Sequence, residues 1–403
     1  MHLLLNDYGG YPFPVDLGAV LAQRGHQVTH VYTSASGSPQ GNFDRCLKGF
    51  RAVDITVPGV PKDDFRRRWL KERTYGQKTA ELIRQSRPNV VLSANTPLEA
   101  QRLILRAARQ VGAPFIFWWQ DILSLAMEFI LSDRLGVPGR WVADRYRRLE
   151  KELLDASAGI IAITEDHLDV LTDWKVSTPA VVIPNWAPLE SIPVLPRDNA
   201  FARELNLVEP FVVLYSGTLG MKQNPDVLFE TAVKLQSLPD IHLLVVAGGV
   251  AVEALKRRVE EGGLKNITIR PLVPFERVAD MLAIADVSLV MLRPEAGDYC
   301  VPSKVWSIYG SGRPVVAAMA ASNAAARLTE DIGAGVVVDP PDAESIVQEI
   351  KFLKDQPSLR DMMGRQGRQY AEQMFQIEVV TDRFLAMIEQ VLIESGEEHH
   401  LAS

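Results

Sequence analysis

Two lysines, each beside a glycine or proline turn and each just after an apolar run, carry the chain's clearest chemical signal. The first ends Tyr215-Ser216-Gly217-Thr218-Leu219-Gly220-Met221-Lys222, which follows the run beginning at Phe211. Gly217 and Gly220 let the backbone turn and approach a ligand closely. Lys222 precedes a helical stretch, so its charge and the unpaired N–H groups of a helix start can converge on phosphate. The second lysine ends Glu295-Ala296-Gly297-Asp298-Tyr299-Cys300-Val301-Pro302-Ser303-Lys304, after the run Val287–Leu292. Ser303 is placed to cap a helix beginning at Lys304, and Lys304 to reach a phosphate. Two such lysines after two strands of one sheet fit a diphosphate held at the sheet's edge. Glu295 and Asp298 then fall near a ligand's sugar hydroxyls. Solvated turns are the plain alternative at each place. Neither G-x-G-x-x-G nor G-x-x-x-x-G-K-[ST] is present, so the dinucleotide fingerprint and the P-loop are both unmet, and a dehydrogenase is disfavoured.

The elements that must carry these residues alternate between short apolar runs and amphipathic stretches. Strands are expected at 1–5, 28–32, 89–93, 114–119, 159–163 and 180–183, with helices at 15–24 and 97–111. A segment with Pro184, Pro188, Pro193 and Pro196 breaks the pattern and reads as a linker. A second set follows, with strands at 211–215, 241–247, 267–270, 287–292, 315–318 and 335–338. Helices fall at 225–235, 251–261, 278–284 and 343–354, and 364–393 reads as helical throughout. Such alternation predicts an α/β protein with two doubly wound parallel sheets in tandem, facing a cleft, with ligands at the C-terminal ends of the strands. The expected division is an N-terminal domain over 1–186, a linker over 187–200, a C-terminal domain over 201–375 and a last helix over 376–395 packing back on the N-terminal domain.

Composition bounds the reading. The 403 residues suit two or three domains, and 47% hydrophobic residues suffice for a core in each of two. A net charge of −7 argues against bulk nucleic-acid binding. Only Cys46 and Cys300 occur, which excludes a disulfide framework and a thiolate metal site and fits a reducing cytoplasm. The first residues lack a basic stretch followed by an apolar one, so no secretory signal is expected. No apolar run reaches the roughly 18 residues that span a bilayer. No metal or cofactor is expected.

The order Ser216-Gly217-Thr218-Leu219-Gly220-Met221-Lys222, Val245-Val246-Ala247-Gly248-Gly249, Ala285-Asp286-Val287, Pro302-Ser303-Lys304 and Gly312-Arg313-Pro314-Val315-Val316, with Gly9-Gly10 and Ile183-Pro184-Asn185-Trp186, resembles the family 4 glycosyltransferases over nearly the whole chain. Within that family it is most similar to bacterial fucosamine-type transferases of O-antigen and capsule assembly, a subgroup that shares the Pro-Ser-Lys variant. The resemblance implies a GT-B fold, with the acceptor on the N-terminal domain and a nucleotide-diphosphate sugar on the C-terminal one. It also implies metal-independent transfer with retention, and a UDP-sugar is the favoured donor. Lys222 matches the family's phosphate lysine. Leu272 and Val273 fall where the base is held by backbone groups, and Gly9 and Gly10 match a loop closing over the diphosphate.

Some positions depart from the family pattern. Thr218 stands where arginine is common. Ser307 and Tyr299 stand where two glutamates are common, with Asp298 one place off and Glu295 four. Gln120 replaces a histidine, while its follower Asp121 remains. Lys304 is the candidate to supply the charge that Thr218 does not. Asp121, Lys222, Asp298 and Lys304 are thus the catalytic candidates. Gly9, Gly10, Gly217, Thr218, Leu272, Val273, Glu295, Pro302, Ser303 and Ser307 are the donor-binding ones. Asp121 has an alternative role as a helix cap.

Segments 65–73 and 139–148 are rich in Arg and each carries Trp. They are candidates for contact with anionic lipid at the inner face of the cell membrane, which suits a lipid-linked acceptor. Two solvated helix faces with Trp69 and Trp141 buried are the alternative. Two further readings stand beside the transferase: a catalytically silent sugar-nucleotide-binding subunit, motivated by Thr218 and Ser307, and a sugar-nucleotide epimerase of the same fold.

Overall fold

The computed structural model describes residues 1–36, 41, 47–57, 65–94, 96–128, 136–297 and 300–401. The chain forms two compact units, Met1–Asn185 with Ile377–Ser403, and Trp186–Gln376. Each is built on one parallel sheet with helices between successive strands.

In the first unit the strands are β1 (His2–Asp7), β2 (Gln27–Tyr32), β3 (Phe50–Asp54), β4 (Val90–Ala94), β5 (Phe115–Trp119), β6 (Gly159–Ala162) and β7 (Ala180–Val182). Their order in the sheet is β3-β2-β1-β4-β5-β6-β7. β4 and β5 are buried along their whole length, as both faces are covered, and this is why they read as unbroken apolar runs. β3 was absent from the expected set: Phe50-Arg51-Ala52-Val53-Asp54 is an edge strand with only Phe50 buried, so it lacks that apolar run. The helix Phe65–Ser86 crosses Leu98–Val111 at Gly76, where an added Cβ would come within 2.7 Å of the Ala100 Cα.

The expected continuous helix over 364–393 is two helices, Pro357–Met374 and Ile377–Leu401. The break falls at Phe375, whose ring is buried and meets Trp306 and Tyr370 edge-on at 5.9 Å, inside the second unit. The helix beyond it belongs to the first unit. Its stripe Val380, Phe384, Met387, Ile388 and Val391 is buried, at the spacing that keeps one face of a helix inward. Phe384 meets the fully buried Trp118 of β5 at 4.7 Å. Gly159 opens β6 beneath Met387 and Val391, and Arg24 is paired with Glu378 and Asp382.

In the second unit the strands are β8 (Phe211–Thr218), β9 (Ile241–Gly248), β10 (Ile267–Arg270), β11 (Val287–Met291), β12 (Val315–Ala318) and β13 (Gly335–Val338), in the order β10-β9-β8-β11-β12-β13. Its core joins Tyr215, Val245 and Leu289 of the strands to Leu228, Leu255 and Ile346 of the helices. Residues of the proline-rich stretch are fastened to this unit: Arg368 donates to the Ile192 carbonyl and Arg313 to that of Leu195, each at 2.9 Å. In both sheets the chain reverses its direction of winding beside the first strand, between β1 and β4 and between β8 and β11. A crevice opens at the C-terminal ends of strands at such a point. No helix among the described residues is long and apolar enough to cross a membrane.

Candidate functional site

At the switch point of the second sheet, β8 runs out into Ser216-Gly217-Thr218. Gly217 has φ +109°, and a Cβ built there would lie 3.4 Å from Cε and 3.5 Å from Nζ of Lys304. Glycine therefore serves the left-handed turn, against which the lysine packs at ordinary contact distance. The Nζ of Lys304 sits 4.0 Å from the centre of the Tyr215 ring. The Tyr215 hydroxyl donates to the Thr218 carbonyl at 2.7 Å, which ties down the same turn. From the next turn, Met221–Gln223, Lys222 donates to Sγ of Cys300 at 3.0 Å. Arg293, leaving β11, donates its N–H to the Lys222 carbonyl at 2.9 Å. The two lysines singled out from sequence thus share one locality, on either side of Cys300.

Burial is the main force on Lys304 and brings its ammonium down to about 7, with Cys300 acting upward and Lys222 downward. Among the described residues no carboxylate acts on it, and burial favours the neutral amine until an anion is supplied. The loop that carries Cys300 is held by Asn323, whose side-chain amide donates to the carbonyls of Gly297 at 3.0 Å and Cys300 at 2.9 Å. Asn323 also caps the helix Ala324–Asp331 through Ala325 N–H.

The remaining candidates of this unit fall as follows. Pro302 is buried and begins the turn into the helix Lys304–Gly310. Ser303 occupies the position before that helix but does not cap it. Its backbone is already helical (φ −56°, ψ −18°), a conformation that carries the side chain away from the N–H groups it would accept, and the side chain is exposed. Ser307 is half-buried one turn along. Glu295 is exposed in the turn Pro294–Ala296. Leu272 lies past the end of β10 and packs where a Gly248 Cβ would stand, 3.1 Å from its Cδ1, with Val273 next to it, half-buried. Asp298 lies outside the described residues.

In the first unit, Gly9 and Gly10 follow β1, and Gly10 has φ +67°. Asp7, the last residue of β1, holds this loop: Oδ1 accepts Gly9 N–H at 3.3 Å and Oδ2 accepts Tyr11 N–H at 2.6 Å. Burial raises the Asp7 carboxyl to about 7, against the pull of these backbone N–H groups. Beneath the loop, Asn6 donates to Ser93 and Thr96 and accepts from the Tyr75 hydroxyl, all within 2.8 Å.

Asp121 is half-buried in the bend after β5. That bend is set by two buried groups. Glu150 accepts from Trp119 Nε1 at 2.9 Å, Leu123 N–H at 3.1 Å and Ser124 N–H at 2.8 Å. His167 Nε2 lies 3.0 Å from the Gln120 carbonyl. Burial pushes Glu150 up and His167 down. The supporting set of Tyr215, Cys300, Asn323, Asp7, Glu150 and His167 escaped the sequence reading. The one available signal was the polar pair Asn6-Asp7 directly after the apolar run Leu3-Leu4-Leu5.

The family described as "Glycosyl transferase 4-like domain" matches residues 13–186, and "Glycosyl transferases group 1" matches residues 196–370. The chain belongs to the family 4 glycosyltransferases, of GT-B architecture. It is 29% identical over 260 residues to the putative colanic acid biosynthesis glycosyl transferase WcaI of Escherichia coli K12. That alignment takes in 62% of this chain and 63% of WcaI, so the chain spans a little under two thirds of this relative. Among solved structures, sucrose-phosphate synthase from Thermosynechococcus elongatus has a TM-score of 0.75 at 16% identity, covering 98% of this chain and 100% of that one. HepE of Anabaena, in complex with UDP and glucose, has a TM-score of 0.72 at 14% identity, covering 97% and 100%. At these identities the likeness is one of fold.

Proposed function

We propose that the protein is a retaining, metal-independent glycosyltransferase that moves a sugar from a UDP-sugar to a lipid-linked glycan acceptor in bacterial polysaccharide biosynthesis. The observation that carries this reading is the convergence of Lys222 and Lys304 beside Cys300 at the switch point between β8 and β11. A sugar leaving a nucleotide diphosphate leaves negative charge on the departing phosphate. Two lysine side chains held in place by the fold, both ammonium once the diphosphate is bound, would stabilise that charge as it forms, without the solvent reorganisation that water would need. Lys222, on a turn, and Lys304, at a helix start, would supply the charge for which other enzymes use a divalent ion. With retention, the acceptor hydroxyl attacks from the face that the leaving group vacates, and the leaving phosphate takes the hydroxyl proton. Leu272 and Val273 would meet the base, Glu295 and Ser307 the sugar or ribose hydroxyls, and Gly9, Gly10 and Asp121 would serve from the first unit. UDP is favoured because HepE, of the same fold, is seen with it.

The test is incubation with a panel of UDP- and GDP-sugars, with and without a detergent-solubilised lipid diphosphate sugar, following nucleotide release and glycolipid product. Product with an unchanged anomeric configuration is expected. Binding without turnover on any acceptor would favour the silent subunit, and a free epimerised sugar would favour the epimerase.

Attachment to an anionic bilayer is part of the proposal. On the helix Val137–Asp155, Trp141 is 76% exposed and Val142 is 38% exposed, flanked by exposed Arg140, Arg145 and Arg148. On the helix Phe65–Ser86, Leu70 is exposed, and Trp69 is half-buried with Arg73 over its ring. An exposed indole among guanidinium groups matches the interface of an anionic membrane. Co-sedimentation with phosphatidylglycerol-containing vesicles is expected, and W141A should weaken it severalfold. Equal recovery of both proteins with neutral and anionic vesicles would remove this part.

A further inference from the structure

We propose that Tyr215 is the positioning residue of the diphosphate site, carrying Lys304 on its ring, and that Lys304 takes up a proton from solvent when a nucleoside diphosphate binds. The inference rests on the donor reading above and adds to it a residue and a proton.

The Nζ of Lys304 is enclosed and has no hydrogen-bond partner among the described residues, although part of its stem is exposed. An enclosed ammonium with no acceptor is costly unless it is paired. The ring of Tyr215, 4.0 Å away, returns part of that cost through its π face. Among the described residues, the titratable groups around Lys304 are Tyr215 from β8, Lys222 from the turn after β8, and Cys300 from the loop after β11. Tyr215 is neutral, because burial drives its phenol upward, and Lys222 brings like charge. With burial holding Lys304 near 7, the empty site contains a mixture of ammonium and amine around neutral pH.

A diphosphate changes this balance. Its negative charges beside Nζ favour the ammonium, so the amine fraction must gain a proton as the ligand arrives. The only bond made is N–H, and the proton comes from the buffer. Tyr215 acts on the same event twice. Its ring sets where Nζ lies, and its hydroxyl fixes Thr218 and so the Gly217 turn against which Lys304 packs. Lys222, with a thiol acceptor at 3.0 Å, is placed differently, and the two cations are not interchangeable.

The experiment is calorimetric titration of the full chain with UDP, and separately with GDP, at pH 8 in Hepes and in Tris. At that pH the terminal phosphate, which titrates near 6, is already ionised and contributes little. The dependence of the heat on the buffer gives the protons bound. Lys304 titrating near 7 should take up about 0.9 proton per nucleotide. In K304R the uptake should vanish, since guanidinium stays charged. Y215F keeps the ring and should keep the uptake while binding a fewfold more weakly. Y215L should raise the dissociation constant roughly tenfold more at pH 8 than at pH 6, because the amine is then harder to charge. Should Y215L not fold, K304R and Y215F decide. Wild-type uptake below about 0.2 proton, or equal uptake in K304R, overturns the inference while leaving the donor reading intact. Failure of both nucleotides to bind sinks the two together.

Discussion

The carboxyl of Asp7 makes a sharp test of how the first unit holds its glycine loop. The group is buried at the end of β1, and burial raises it from an ordinary 3.8 to about 7. Between those values the folded protein keeps a proton that the unfolded chain has released, so stability falls as pH rises. The contribution is complete below about pH 4 and lost once pH passes about 7. A difference of about 3 units corresponds to about 4 kcal/mol. Asn does not titrate, but it keeps one acceptor where Asp7 accepts from two N–H groups, so its NH2 faces the longer contact, from Gly9. D7N should therefore gain on the wild type by about 2–4 kcal/mol between pH 4.5 and pH 8, the lower figure allowing for relaxation around the charged form, on top of a pH-independent cost for the lost acceptor.

For a unit of this size, that gain is a rise in midpoint, relative to wild type, of roughly 5–15 °C between those two pH values. Tryptophan fluorescence is a suitable probe. Trp69, Trp118, Trp119, Trp141 and Trp174 all lie in the first unit, whereas only Trp186 and Trp306 lie in the second. Thermal melts of both proteins at half-unit steps from pH 4.5 to 8 give the comparison. Parallel curves would refute the reasoning. The loop would then owe its shape to Gly10 and the Asn6 network rather than to the carboxylate.

Other expectations follow from the same geometry. K222A removes a charge-assisted contact to the ligand phosphate and should weaken UDP binding by about 10- to 100-fold in calorimetry, as such bonds contribute about 1.5–3 kcal/mol; unchanged affinity would dismiss Lys222 from the phosphate site. G217A forces a Cβ into a left-handed turn (φ +109°), so the second unit should lose about 1–3 kcal/mol in urea unfolding and, as the turn carrying Thr218 shifts, bind UDP more weakly. E150Q sets an amide N–H against one of the three N–H groups that Glu150 accepts, and should cost the first unit about 1–3 kcal/mol. The effect should reach turnover but not UDP binding, which a comparison of kcat with the UDP dissociation constant will separate.

The parts of this protein that could be read from its sequence are those whose signal is local. β4, β5, β8 and β11 announce themselves because strands covered on both faces are mostly apolar, and Lys222 and Lys304 because each follows such a run through glycine or proline. What stayed hidden is set by partners far along the chain. β3 is an edge strand fixed by pairing with β2. The helix break at Phe375 comes from aromatic contacts with Trp306 and Tyr370 and leaves no helix breaker at that position. Ser303 has the residue type of a cap but not the backbone, which is determined by the buried Pro302 turn before it.

The same division applies within the site. The groups that would touch ligand lie in recognisable turns, whereas the groups that place them do not. Tyr215 reads as one more core aromatic in a strand, and Asn323 as an ordinary cap 23 residues beyond the Cys300 carbonyl it holds. Lys304 shows why this matters. A lysine at a helix start is charged and solvated by default, and nothing nearby in sequence says otherwise. Its Nζ is poised between ammonium and amine because burial brings its titration down toward neutral pH while the Tyr215 ring of β8 lies against it. The protonation state of this lysine is therefore set by the fold rather than by the residue type. A variant that keeps both lysines but removes the Tyr215 ring or distorts the Gly217 turn should still lose donor affinity.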